Sequence, residues 1–385
     1  MMDCILIENA KIFMENKTIN NGYLLIDRGI IVNISEEQID IGDAVKRIDG
    51  TDLSVLPGFI DAHIHGANGC DIMDATESAL ETIALHLPKE GTTSFVATTM
   101  TQSEAKINNA LTTIGNYEKK QTEATLLGVH VEGPFIHPEK SGAHQKEYIV
   151  PTNRELWNKW QQLAKGKLKT VTIAPECDET NLITYLSDLG INVSLGHSTV
   201  NFQEARAAVA KGVNQVTHLA NAMTGIHHRD VGAVGAAFLL DELVVEVIAD
   251  KVHLSFEMLE ISYRQIGSNR MMLITDAMRA KGLQAGTYEL GGQSVKVANE
   301  KAYLKDGTLA GSVQTMIENV KIMLGISGVT LRDIVKMTAE NPAKQLNVFQ
   351  EKGSIAIEKD ADLVLLDSKT DVVYTICEGK IAYER

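Results

Sequence analysis

The run Leu56-Pro57-Gly58-Phe59-Ile60-Asp61-Ala62-His63-Ile64-His65-Gly66 decides how the chain is read. It is apolar until it stops at two histidines one residue apart. Successive side chains of a β-strand alternate between faces, so the pattern predicts that Asp61, His63 and His65 point the same way. Two imidazoles on one face at a strand's end can share a cation, and neutral imidazole suits zinc, iron and nickel. Gly66 frees the backbone to turn away directly after the pair. H-x-H is a short motif, so its meaning depends on whether the rest of the chain supplies further ligands.

Downstream, β-rich apolar segments alternate with helical patterns as far as Pro342. Strands are expected over 56–63, 93–98, 126–132, 170–174, 192–196, 215–218, 244–248 and 271–275. Helices are expected over 77–90, 103–119, 154–164, 179–189, 202–211 and 257–266. Such alternation argues for parallel strands with crossover helices, and eight repeats argue for a closed (β/α)8 barrel. An open doubly wound sheet is the alternative, but no G-x-G-x-x-G follows the first strand. A β excursion over 286–307 interrupts the pattern, with turns at Gly291-Gly292 and Asn299-Glu300. Helices over 313–324 and 331–339 follow it.

The flanks read differently. Residues 3–55 carry short strands over 4–8, 22–27, 29–34 and 46–49. Asn20-Asn21-Gly22 and Arg28-Gly29 are turn signals, and 38–43 is irregular. Strands return over 362–366, 372–377 and 380–383, the last two joined at Glu378-Gly379. Each flank is too short for a stable core. The expected fold class is therefore α/β: a (β/α)8 barrel over 56–342, with a small β-sandwich built from both termini, 1–55 and 343–385.

Composition narrows the function classes. The 36 basic and 50 acidic residues give a net charge of −14. That argues against nucleic acid or an anionic membrane as partner, and an anionic substrate would need a local cationic pocket. Cys4, Cys70, Cys177 and Cys377 form no C-x-x-C, which fits a reducing compartment. Met1-Met2-Asp3-Cys4 shows no basic-then-apolar leader. The longest apolar run, 231–240, is half glycine and alanine and falls short of the ~18 residues of a membrane span. The expected location is the cytoplasm.

Catalytic groups of (β/α)8 enzymes sit where the strands end, on the C-terminal face. Strand one ends in His63 and His65, strand three in Glu132-Gly133-Pro134 and strand five in Gly196-His197-Ser198. Strand six ends in Thr217-His218 and strand eight in Thr275-Asp276. Four histidines and two carboxylates thus converge on one mouth. Hydrophobic strands have no folding reason to end this way five times. His130, two residues before Glu132, faces the same interior, either supporting a metal ligand or as a core histidine. Asp61 reads as structural, and His86 as a packing or surface residue.

These blocks resemble a known family. Phe59-Ile-Asp-Ala-His-Ile-His-Gly66, His130-Val-Glu-Gly-Pro-Phe135, Gly196-His197-Ser198-Thr199, Thr217-His218-Leu-Ala-Asn221-Ala222-Met223, Thr275-Asp276-Ala277 and Gly307-Thr-Leu-Ala-Gly-Ser312 are similar to the amidohydrolase superfamily. The similarity covers nearly the whole chain. Within the superfamily it is to the branch that deacetylates N-acetylglucosamine 6-phosphate. The resemblance implies that Glu132, His197 and His218 hold a principal metal and that His63 and His65 add a second site. One or two ions of zinc or iron are implied. Asp276 would be the general base and then acid, with His144 over the acetamide stabilising the oxyanion. Asn221, the backbone at Ala222, Leu309 and His253 would contact the phosphorylated amino sugar. Arg229 would reach its phosphate from the neighbouring subunit of a homodimer.

His137, His227 and His228 receive no role. Rival readings are another amidohydrolase such as a D-amino-acid N-deacylase or a cyclic-amide hydrolase, a deacetylase of the galactose epimer, or a scaffold that lost its chemistry. The Asn221-Ala222 block and Arg229 speak against the first. Intact Glu132, His197, His218 and Asp276 speak against the last.

Overall fold

A computed structural model describes residues 4–42, 45–120 and 122–385. The expectations for residues 1–3 and 43 lie outside the described residues. Eight barrel strands run in chain order: β1 Phe59–Ile64, β2 Thr92–Thr99, β3 Thr125–Glu132, β4 Leu168–Ile173, β5 Asn192–Leu195, β6 Val213–Val216, β7 Val244–Ile248 and β8 Met271–Ile274. Each pairs in parallel with the next, from β1 to β8. The ring closes just past β8. There the Asp276 amide donates to the His63 carbonyl, and the His65 and Gly66 amides donate to the Ala277 carbonyl, each at 2.9 Å. Helices cover the outside, so the strands must be apolar or small on both faces. β2 is accordingly buried at every position.

A separate apolar cluster joins the barrel strands to the segment just past Pro342. In it Ile60, Ala62, Val96, Ile248, Met272 and Ile274 pack against Ala343 and Leu346.

Two expectations for the opening run change. The strand expected over 56–63 is two strands. Ser54–Pro57 pairs with Cys4–Phe13 and Leu363–Leu366 in the terminal sheet, and the barrel strand begins at Phe59. Gly58 lies between them, where a Cβ would come within 2.2 Å of Thr93 Cγ2. Strict alternation also fails. A register shift between Asp61 and Ile64 interrupts the ladder to β2. Asp61 instead accepts from the Thr275 amide at 3.2 Å and the Thr275 hydroxyl at 2.5 Å, whereas the His63 ring turns to Glu246. Gly66 is required for closeness rather than for an unusual φ. A Cβ there would lie 2.3 Å from the Cys70 carbonyl oxygen.

Both chain termini enter one eight-stranded, mostly antiparallel sheet, joined where Ser54–Pro57 meets Leu363–Leu366. Its own core includes Ile7, Ile12, Leu24, Ile26, Leu363 and Ile376. The Asn20-Asn21-Gly22 turn signal is overridden. Those residues lie inside the strand Thr18–Asp27, at a bulge opposite Ala10. Arg28-Gly29 does turn, with φ of 49° and 88°.

The excursion after β8 is a three-stranded sheet, Gly286–Leu290, Gln293–Ala298 and Lys301–Tyr303. The helix Gly232–Leu239 lies outside the sequence expectations, as does the short helix Asn341–Gln345. The two glycines of the first lower its helical propensity and it has no polar face to mark a helical period, and burial of its first six residues supplies the missing drive. The helix expected over 331–339 is α-helical only to Val335, then passes through a π-turn, Lys336–Glu340.

Candidate metal centre

Glu132 is the last residue of β3, and its carboxylate is the hub of the mouth. Oε1 lies 3.2 Å from His197 Nε2 and 3.1 Å from His218 Nε2. Oε2 lies 3.1 Å from His65 Nε2, 3.4 Å from His144 Nε2 and 3.7 Å from His63 Nε2. Asp276 Oδ1 completes the second group, 3.2 Å from His65 Nε2 and 3.5 Å from His63 Nε2. The structure thus brings together all seven residues expected to hold metal or do chemistry. None is more than 7% exposed, so water screens their interactions weakly.

Local backbone geometry explains the convergence. His197, His218 and Asp276 each lie two residues past the end of β5, β6 and β8, with φ of 49°, 29° and 47°. Left-handed backbone at a non-glycine residue costs of order 1–3 kcal/mol and gathers at functional sites. The same departure from extended backbone at three strand ends turns three side chains into one mouth.

Hydrogen bonds on the far ring nitrogens set which nitrogen faces inward. His197 Nδ1 donates to the Lys140 carbonyl at 2.7 Å, and His65 Nδ1 to the Thr98 carbonyl at 3.2 Å. His63 Nδ1 donates to Glu246 Oε2 at 3.0 Å. In each case Nε2 is the nitrogen left facing the centre. His144 is the opposite tautomer. Its Nδ1 accepts from the Thr101 amide at 3.2 Å, so Nε2 carries the hydrogen and can donate.

The charges are strongly coupled. Burial would discharge His63, but Asp276, Glu132 and Glu246 outweigh it and raise its pKa well above the usual range. Burial likewise opposes charge on His65, but hydrogen bonds to Asp276 and Glu132 push its pKa up to about 10. For His197 burial wins, helped by His144, and its pKa falls to about 4. His218 is raised by Glu132 and Asp276 against burial. Burial would raise Asp276 and Glu132, yet the neighbouring histidines, His63 foremost, hold both carboxylates below their ordinary range.

This donor set fits a divalent metal. Imidazole nitrogens and carboxylate oxygens suit zinc and iron alike. His63 Nε2 is buried without a hydrogen-bond partner while facing two carboxylates. A buried ring nitrogen without a hydrogen-bond partner, set between two carboxylates, is one that a cation would satisfy.

Glu246 is the residue that sequence reasoning missed. It is fully buried in the middle of β7, Val244-Val245-Glu246-Val247-Ile248. A lone carboxylate inside an apolar strand was the available signal. His130 takes the supporting position left open above. Its Nε2 meets the Thr172 hydroxyl at 2.7 Å and its ring packs edge-on against His63, with centroids 4.6 Å apart. Thr172 continues to Thr217 at 2.8 Å, and Thr217 to Ser194 at 2.6 Å, forming a hydroxyl floor under the centre.

Above the centre the mouth opens into a cavity of about 510 Å³ lined in part by Asn221, Ala222, His253 and Leu309. His253 is aimed by Asp250, whose Oδ2 accepts from its Nδ1 at 2.7 Å. Lys140 and Lys146 are the cationic chains lining this cavity among the described residues. Arg229 lies outside the lining, on an exposed loop, with its Nη1 2.8 Å from His228 Nε2. His227 accepts from the Arg229 amide and His137 from the Glu139 amide, so both rings serve loop structure.

Comparison with known proteins finds relatives over the whole chain. The profile of the Amidohydrolase family matches residues 54–382. The N-acetylglucosamine-6-phosphate deacetylase of Bacillus subtilis (strain 168) is 43% identical over 388 residues, covering 100% of this chain and 98% of that relative. The crystal structure of the N-acetylglucosamine-6-phosphate deacetylase from Pasteurella multocida superposes with a TM-score of 0.92 at 30% identity, over 98% of this chain and 99% of that one. A mutant of the Mycobacterium smegmatis enzyme, solved in complex with N-acetyl-D-glucosamine-6-phosphate, gives 0.90 at 26% identity, over 98% and 99%.

Proposed function

This chain belongs to the amidohydrolase family, and we propose that it hydrolyses the acetamide of N-acetylglucosamine 6-phosphate to glucosamine 6-phosphate and acetate. The observation that carries the reading is the meeting of five histidine Nε2 atoms around both oxygens of Glu132, with Asp276 against two of them.

Glu132, His197 and His218 would hold a principal ion, with His63 and His65 forming a second site. A bound divalent ion supplies the Lewis acidity that makes water nucleophilic at neutral pH. Asp276, held below the ordinary carboxylate range, stays ionised and accepts the proton of the attacking water. It returns that proton to the amide nitrogen as the C–N bond breaks, so glucosamine leaves as a neutral amine. His144 presents its Nε2–H to the oxygen that gains charge in the tetrahedral state, because Thr101 occupies its Nδ1.

Asn221, the Ala222 backbone, His253 and Leu309 are the sugar-facing groups of this proposal. A protein of net charge −14 needs local cations for a dianionic phosphate. Arg229 is assigned to that task from the neighbouring subunit of a homodimer, since guanidinium grips phosphate through two parallel hydrogen bonds. The four free cysteines support a cytoplasmic setting.

Acetate release tests the function, measured on N-acetylglucosamine 6-phosphate, its galactose epimer and N-acetyl-D-amino acids, with metal analysis of the same preparation. Turnover of the glucose phosphosugar by metal-containing protein is expected. Turnover confined to acyl amino acids would replace this substrate, and a metal-free protein without turnover would leave only a scaffold.

A further inference from the structure

A carboxylate buried in an apolar strand is costly unless it is paired. Glu246 is 0% exposed, and both its oxygens are occupied. Oε2 accepts from His63 Nδ1 at 3.0 Å and from the His218 amide at 3.3 Å. Oε1 accepts from the Gln215 side-chain amide at 2.6 Å. Glu246 does not line the mouth, so it has no route to substrate. Its neighbours on β7 are hydrophobic, and a leucine there would pack without the desolvation cost.

We propose that Glu246 is a positioning residue for the metal centre, fixing the His63 ring so that its buried, unpartnered Nε2 faces the ion. Gln215 holds the carboxylate, the carboxylate holds Nδ1–H, and the remaining lone pair is left for metal. A carboxylate behind a ligating histidine fixes ring orientation and raises ligand basicity, and its loss typically weakens metal binding ten- to hundredfold.

The inference rests on His63 being a metal ligand, so the test separates the two. Zinc binding per subunit is measured in chelator-buffered solution for wild type, His63→Ala, Glu246→Gln and the double variant. Glutamine keeps the size of Glu246 but places an N–H where one acceptor was. Glu246→Gln is expected to weaken one of the two ions about ten- to hundredfold. The double variant should bind no more weakly than His63→Ala, because both changes act through one ring. Wild-type affinity in Glu246→Gln would overturn the inference. So would a double variant that loses the full factor again. His63→Ala with undiminished zinc would overturn the ligand reading itself.

Should Glu246→Gln fail to fold, the 15N spectrum of the zinc-loaded wild-type histidines decides. A His63 proton on Nδ1 is expected, and one on Nε2 would overturn the inference.

Discussion

The two oxygens of Glu132 face unlike half-sites. On the Oε1 side stand His197 and His218, both on left-handed backbone just past their strands. On the Oε2 side stand His63 and His65 at the end of β1, with Asp276 beside them and Glu246 behind His63. All four rings are buried to a similar depth, yet their proton affinities diverge. The His197 pKa sits at about 4 and the His65 pKa at about 10. Depth therefore does not set the charge. His197 has Glu132 to oppose burial, with His144 pressing against it, whereas His65 has two carboxylates. The side richer in carboxylate needs a cation more, and holds protons when it has no metal.

The most damaging change should be the one that removes the shared wall. Glu132→Ala is expected to lose both ions and all measurable acetate release while its far-UV circular dichroism stays native. Retention of one ion would mean the halves do not depend on a common carboxylate. His197→Ala should lose the principal ion and nearly all turnover.

Next in size is Asp276→Asn. It keeps the shape of the Oε2 side but removes the proton acceptor, so kcat should fall by about 10²–10⁴. The Oε1 ion should remain by metal analysis. Near-normal kcat would move the base elsewhere.

His63→Ala should cost less turnover than Asp276→Asn if the Oε1 half works alone. An equal loss of both ions would erase the distinction between the halves.

The halves should also differ in pH dependence. Without metal, His63 and His65 have raised pKa values, so a metal entering the Oε2 side displaces two protons. His197 is already neutral above about pH 5, so on the Oε1 side only the raised His218 must lose one. Each displaced proton weakens binding about tenfold per unit of falling pH. Zinc competition between pH 6 and 8 should show the steeper slope for the site that His63→Ala removes. Equal slopes would contradict the charge contrast.

The smallest effect is expected outside both halves. Arg229→Ala should leave metal content unchanged and raise KM roughly ten- to hundredfold, the worth of a charge-assisted hydrogen bond of about 1.5–3 kcal/mol. Mixing it with Asp276→Asn protein should restore activity, since the subunit keeping Asp276 would receive Arg229 from its partner. No recovery despite subunit exchange would place Arg229 in its own site or in none.

Much of this was legible before any fold. Ligand-type residues stand at the ends of apolar strands, where packing gives no reason for them, and the β/α alternation puts those ends on one face. Local signals were weaker wherever tertiary contacts competed. Asn20-Asn21-Gly22 yielded to a bulge in a ten-residue strand, and the residues before Phe59 were claimed by the terminal sheet. Glu246 escaped notice because its meaning lies in a partner 183 positions away.

The sequence by itself determined which residue types could hold a cation and which strand ends carry them, because such residues are expensive in an apolar strand and stand out from it. The tertiary structure alone decided which nitrogen of each ring faces the centre and which rings hold a proton. Those properties depend on distances of about 3 Å between groups brought in by different strands, and on how many carboxylates each buried ring must share.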